Sequence, residues 1–183
     1  MKTLILAQIL ITLSLFSQNY PEPDYFNQPY FLNDSNQLEK IEKADAKYEI
    51  KVKGMGYGGY DMFFTTLGAQ SSKRFSKEKS LVFLIKLNTD IDPEGFIVIS
   101  KATIKKKIRL FIFDSRTMMG EAKETKDKKI PIAIEKLSDK VFKIKITEKI
   151  EPGEYAFKPF SSVNLGGNAA GGLNQTIYCF GID

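Results

Sequence analysis

The chain has 183 residues, 43% hydrophobic and 27% charged, with a formal net charge of +5. That is one domain's length with a globular balance, enough to bury a core without disulfide or metal staples. It contains no His, no Trp and one Cys. This excludes Ser-His-Asp and Cys-His catalysis, an internal disulfide, and nearly every zinc, copper or non-haem iron site.

Residues 1–17 read as a secretory signal: Lys2, then an apolar stretch from Leu4 to Phe16, then the small Ser17. Cleavage near Ser17-Gln18 would leave 166 residues. No Cys follows the apolar run, so no lipoprotein attachment is expected. Later apolar stretches are short and punctuated by lysine, so no transmembrane segment is expected after cleavage. Export without disulfides fits a bacterial envelope protein, placed in the periplasm, on the outer membrane or outside the cell.

Residues 18–32 carry Pro21, Pro23 and Pro29 among aromatics and read as an extended arm on a single domain over 33–183. Removing residues 18–28 should leave the fold intact. Asn33 to Asn36 is a turn cluster, and 37–46 fits a strand or a short helical turn. In KYEIKVK, Tyr48, Ile50 and Val52 alternate with charged residues, the pattern of a strand with one wet face. Glycines 54, 56, 58 and 59 then mark a bend, and 60–67 a second strand. A polar loop runs to Lys79. LVFLIKL, 81–87, is almost continuously apolar and predicts a central strand covered on both faces. Residues 96–102 and 107–113 predict a strand pair across Lys105-Lys106, followed by a polar loop over 115–129. Residues 130–137 and 140–146 form a hairpin pattern, with Pro131 placing the first at a sheet edge or at its start. GEYAF, a glycine-rich loop and TIYCFGI close the chain. No three-turn helix pattern is present in 18–183. The expected fold is all-β, an antiparallel β-sandwich.

Ile150 to Tyr155 matches the approach to a tyrosine corner, in which a tyrosine hydroxyl bonds back to the chain just upstream. This gives Tyr155 a structural role and makes the C-terminal half immunoglobulin-like, with 140–146, 154–158 and 176–182 as its last three strands. Several fragments resemble an uncharacterised family of exported bacterial β-rich proteins: Gly68-Ala69-Gln70-Ser71 with Arg74, Asp92-Pro93, Lys107 and Arg109, Pro152 to Phe157, and Cys179 to Asp183. The resemblance spans roughly 48–183. It implies export and a β-rich fold, and no activity.

Charge is unevenly placed. Residues 101–149 hold 15 basic and 7 acidic residues, a net +8, whereas 18–46 hold 2 basic and 6 acidic, a net −4. Lysines on wet strand faces account for most of the basic segment, and pairing with the acidic arm is a further outlet. Only three arginines are present, Arg74, Arg109 and Arg116, and the chain is read as exported, so nucleic acid is not an expected partner. Asp90, Asp92 and Glu94 crowd one turn without EF-hand spacing; no metal or other cofactor is expected. Asp61, Glu135 and Glu154 are carboxylates of the kind a glycosidase pairs, and Cys179 is a lone thiol in an apolar strand; neither carries a catalytic motif. The expected function is therefore non-enzymatic: an exported β-sandwich that binds a protein or surface component of the cell envelope. The alternative is a small carbohydrate-binding module using Tyr57 and Tyr60 as stacking platforms.

Overall fold

A computed structural model describes residues 20–54, 57–88, 92–117, 119, 129–160 and 174–183. The signal segment 1–17, the acidic Asp90, Gly56, and the glycines 166, 167, 171 and 172 lie outside them. The chain is all-β with antiparallel sheets. Among the described residues no helix is long and apolar enough to cross a membrane.

One sheet has five strands in the order β10 (Ile132–Lys136), β11 (Val141–Ile146), β6 (Val82–Lys86), β1 (Pro29–Leu32), β2 (Leu38–Lys40). The apolar run at 81–87 thus sits centrally, between β11 and β1. Residues 29–32, read from the sequence with the arm, are an inner strand: Tyr30 and Phe31 are buried.

The other sheet follows β12 (Gly153–Phe157), β13 (Asn174–Ile182), β3 (Glu42–Val52), β4 (Tyr60–Leu67), β8 (Ile108–Arg116) and β7 (Ile99–Lys105). It then closes, because β12 also pairs with β7, Tyr155 opposite Lys101 and Phe157 opposite Ile99. The result is a six-stranded barrel where the sequence pattern suggested an open sandwich sheet. Two short strands hang on it: β5 (Arg74–Phe75) runs parallel to β13, and β9 (Lys129–Ile130) pairs with β7.

Six strands enclose less width than the eight whose interior just fills with side chains. The inward row therefore mixes small and large residues. Ala44, Ala46, Ala156 and Cys179 leave room for Tyr48, Phe64, Phe111 and Phe113. The Ser100 hydroxyl is buried among them and donates to the Ile112 carbonyl at 2.9 Å. A second core lies between the barrel's outer face and the five-stranded sheet. There Phe83 meets Phe157 edge-on at 5.1 Å and Phe180 at 5.2 Å. Strands with alternate residues in two cores, such as β12 and β13, are apolar on both faces.

Local differences from the sequence reading have identifiable causes. Strand β3 begins at Glu42, well before the alternation at 48–52, because its inward residues there are alanines. Strand β7 begins at Ile99: residues 93–95 form a 3-10 turn capped by the Asp92 side chain, delaying the strand. Strand β8 continues to Arg116 through a bulge opposite Met62/Phe63. At Pro131 the chain passes from β9 in one sheet to β10 in the other; proline has no N–H to continue a ladder. Tyr155 is 1% exposed, and its hydroxyl donates to the Glu151 carbonyl at 2.6 Å.

Residues 20–28 cross the outer face of the five-stranded sheet. Tyr20 accepts a hydrogen bond from Lys143 Nζ at 3.1 Å. Glu22 pairs with Lys86, whose Nζ also lies 4.8 Å from the Phe26 ring. On that face Leu84 and its cross-strand partner Tyr30 are buried. The arm thus lies on the body, over this pair.

Candidate functional site

The barrel has two unlike ends, set by β8. Arg109 lies near its start and Ser115 near its finish, about 20 Å apart at roughly 3.3 Å per residue.

At the Arg109 end, an ion network closes the interior. Arg109 shares the inward face with Phe111, and its guanidinium is 2% exposed. Its Nε donates to the Gly68 carbonyl at 3.1 Å, Nη1 to Ser71 Oγ at 2.6 Å, and Nη2 to Glu42 and to the Leu67 carbonyl. Glu154, from β12, lies 3.8 Å from Arg109. It accepts from the Ser71 N–H at 2.7 Å and hydroxyl at 2.5 Å, and from Arg74. Arg74 reaches on to Asp183 at 2.7 Å. Hydrogen bonds to Asp183 and Glu154 raise the Arg74 pKa above its ordinary value. The guanidinium crosses β13 at Gly181, where an added Cβ would lie 2.3 Å from Arg74 Nη1. Buried charge is tolerated here because each buried group has a partner. The network joins Gly68, Ser71, Arg74, Arg109, Glu154 and Asp183, residues quoted above for a family resemblance without a role. Glu42 was not anticipated. An inward arginine in an alternating strand signals that a buried carboxylate must face it, though not which one.

Among the described residues the other end carries no comparable plug. Strand β3 runs past the barrel rim. Along its inward row exposure climbs from 1% at Ala46 and 3% at Tyr48 to 49% at Ile50 and 61% at Val52. The hairpin that follows puts Tyr57 at 84% exposure. Gly59 has a left-handed φ of 78° and passes so close to Arg116 that a Cβ would overlap its carbonyl oxygen, which explains glycine there. Tyr60 is half-buried on β4, opposite Val52 and Arg116. The two tyrosines share a hairpin, and no ring contact joins them among the described residues. Near this end, buried Asp61 binds the Ser115 hydroxyl and pairs with Lys53 at 2.5 Å.

The carboxylates considered for glycoside hydrolysis are dispersed. Asp61 and Glu154 sit at opposite ends of the barrel, beyond the roughly 5–10 Å such a pair requires. Glu135 is on the other sheet, paired with Lys143. Asp92 spends its side chain on the Glu94 N–H at 3.0 Å, and no group of three or more candidate metal ligands occurs among the described residues. Cys179 is fully buried, and burial pushes its thiol pKa up. The acidic N-terminal segment is pinned to body lysines, Glu22 to Lys86, Asp34 to Lys79 and Glu39 to Lys73.

No protein-family model, no curated protein and no solved structure matches this chain. The closed end is a saturated structural plug. The opposite end projects Ile50, Val52 and Tyr57 into solvent.

Proposed function

We propose that the chain is an exported, non-enzymatic binding protein of the bacterial cell envelope, and that it holds a protein or surface component at the projecting end of the barrel. The observation that carries this reading is the hairpin overhang: Ile50, Val52 and Tyr57 stand in water on one β3–β4 hairpin. Scattered apolar residues on a surface mean little, but three on one projecting element mark a contact surface. The signal-like N-terminus and the resemblance to exported β-rich proteins support the location. We extend the reading to a local immunoglobulin-like order in the C-terminal half. Support comes from β11 in one sheet, β12 beside β13 in the other, and the Tyr155 hydroxyl bond.

The test is direct binding of envelope components, proteins and glycans arrayed separately, to the parent chain and to Tyr57→Ser with Val52→Ser. Both positions are exposed, so melting temperature should be unchanged. Affinity should fall at least about tenfold, as for an aromatic anchor at an interface. Equal affinity would remove the hairpin from the function. Binding confined to neutral glycans and lost on Tyr57→Ser would select the carbohydrate-binding alternative.

A further inference from the structure

The closed end of the barrel carries a feature that the binding reading does not use. The β7–β8 turn reads Ile104-Lys105-Lys106-Lys107-Ile108, and all five residues are exposed. Ile104 is 45% and Ile108 38% exposed, and Leu67, the β4 partner of Ile108, is 81% exposed. Lys106 adopts a left-handed φ of 57°, a position where tight hairpins favour Gly or Asn, so a cation is kept at conformational cost. Elsewhere Lys53, Lys73, Lys79, Lys86, Lys101 and Lys143 each hold a carboxylate, while single lysines on strand faces such as Lys51 and Lys145 hold none among the described residues. Among the described residues the three lysines of the turn hold none.

The tip is also rigid. Gly68 donates to the Lys107 carbonyl at 2.9 Å, and the buried Arg109 guanidinium binds the Gly68 and Leu67 carbonyls from beneath. Leu67 and Ile108 are therefore held side by side at the surface, next to three cations that hold no carboxylate among the described residues.

We infer that this tip docks on an anionic lipid surface. The lysines meet headgroup phosphates while Leu67 and Ile108, which share a face with Lys105, enter the boundary between headgroups and acyl chains, a division of labour that interfacial segments share. An acidic polymer would satisfy the lysines and leave Leu67 and Ile108 in water. Because this tip and the β3–β4 hairpin occupy opposite ends of the barrel, the two proposals fail or stand separately.

The test is vesicle co-sedimentation with phosphatidylcholine alone and with added phosphatidylglycerol. It compares the parent chain, Lys105→Gln/Lys106→Gln/Lys107→Gln, and Leu67→Ser. All carry the same N-terminus, so any contribution of residues 1–17 cancels in the ratios, and a melt of each checks the fold. The parent should bind only the anionic vesicles. The triple variant should lose on the order of a hundredfold in partitioning, from roughly fivefold per lysine. Leu67→Ser should weaken binding without changing its salt dependence. Should the triple variant unfold, Lys106→Gln and a salt titration of the parent read the same charges. No parent binding, or variants binding as the parent does, would overturn the proposal. So would equally tight binding to heparin that ignores Leu67→Ser, which would make the tip a polyanion site.

Discussion

Deleting residues 177–183 is expected to yield an insoluble or rapidly degraded protein. Strand β13 is the last in the sequence but an interior strand of the barrel, paired with β12 on one side and β3 on the other, with β5 joined near its end. Ile177, Cys179, Phe180 and Ile182 are all at most 1% exposed. Ile177 and Cys179 fill the barrel, while Phe180 and Ile182 fill the core between barrel and sheet. Losing these side chains removes roughly 5–10 kcal/mol of burial, against a total stability of about 5–15 kcal/mol for a typical domain. The damage is also topological. The ring opens, and β3 and β12 become bare edges able to pair with other chains. Expression yield in the soluble fraction and a thermal melt decide the matter. A soluble truncation that still melts cooperatively would place β13 at the periphery.

Replacing Arg109 with Met should cost about 3–5 kcal/mol, the range for breaking a buried pair from one side. The substitution leaves Glu42 and Glu154 without this cation, and it strips donors from Ser71 Oγ and the Gly68 and Leu67 carbonyls. The intact network need not stabilise the fold by that amount, because desolvation offsets much of the attraction. Its effect is to tie β3, β8, β12 and the loop before β5 to one arrangement. Adding Glu42→Gln to Arg109→Met should therefore restore at least about 1 kcal/mol, a coupling that urea unfolding of the single and double variants measures. Additive losses would show that the two residues act independently.

Much of this architecture is legible in the sequence, and the illegible parts share a cause. The apolar runs at 60–67 and 107–113 and the alternation at 140–146 mark strands because large apolar residues are concentrated in short segments between turns. The run at 81–87 reads as central because both its faces are covered. The early part of β3 hides because Ala44 and Ala46, small enough for a narrow barrel, carry little hydrophobic signal. Barrel closure hides for a different reason. The pairing of β12 with β7 joins residues about fifty apart, and nothing in either strand distinguishes a partner on one side from partners on both. In the candidate site, Tyr57 was visible as an aromatic in a glycine-dense bend, whereas its exposure depends on how far the hairpin projects. The network of Arg109, Ser71 and Glu154 spans residues drawn together only by the closed ring. The lysines at 105–107 read as ordinary wet-face residues until the exposure of Leu67 beside them is known.

The account rests on the closed barrel, since both its plugged end and its projecting end follow from closure. Cross-strand nuclear Overhauser contacts between residues 155–157 and 99–101, in the chain as the cell produces it, test this most directly. The closed ring predicts backbone contacts linking Tyr155 to Lys101 and Phe157 to Ile99, alongside those linking Tyr155 to Phe180. Contacts from β12 to β13 alone, with none to β7, would make the sheet open and contradict the account.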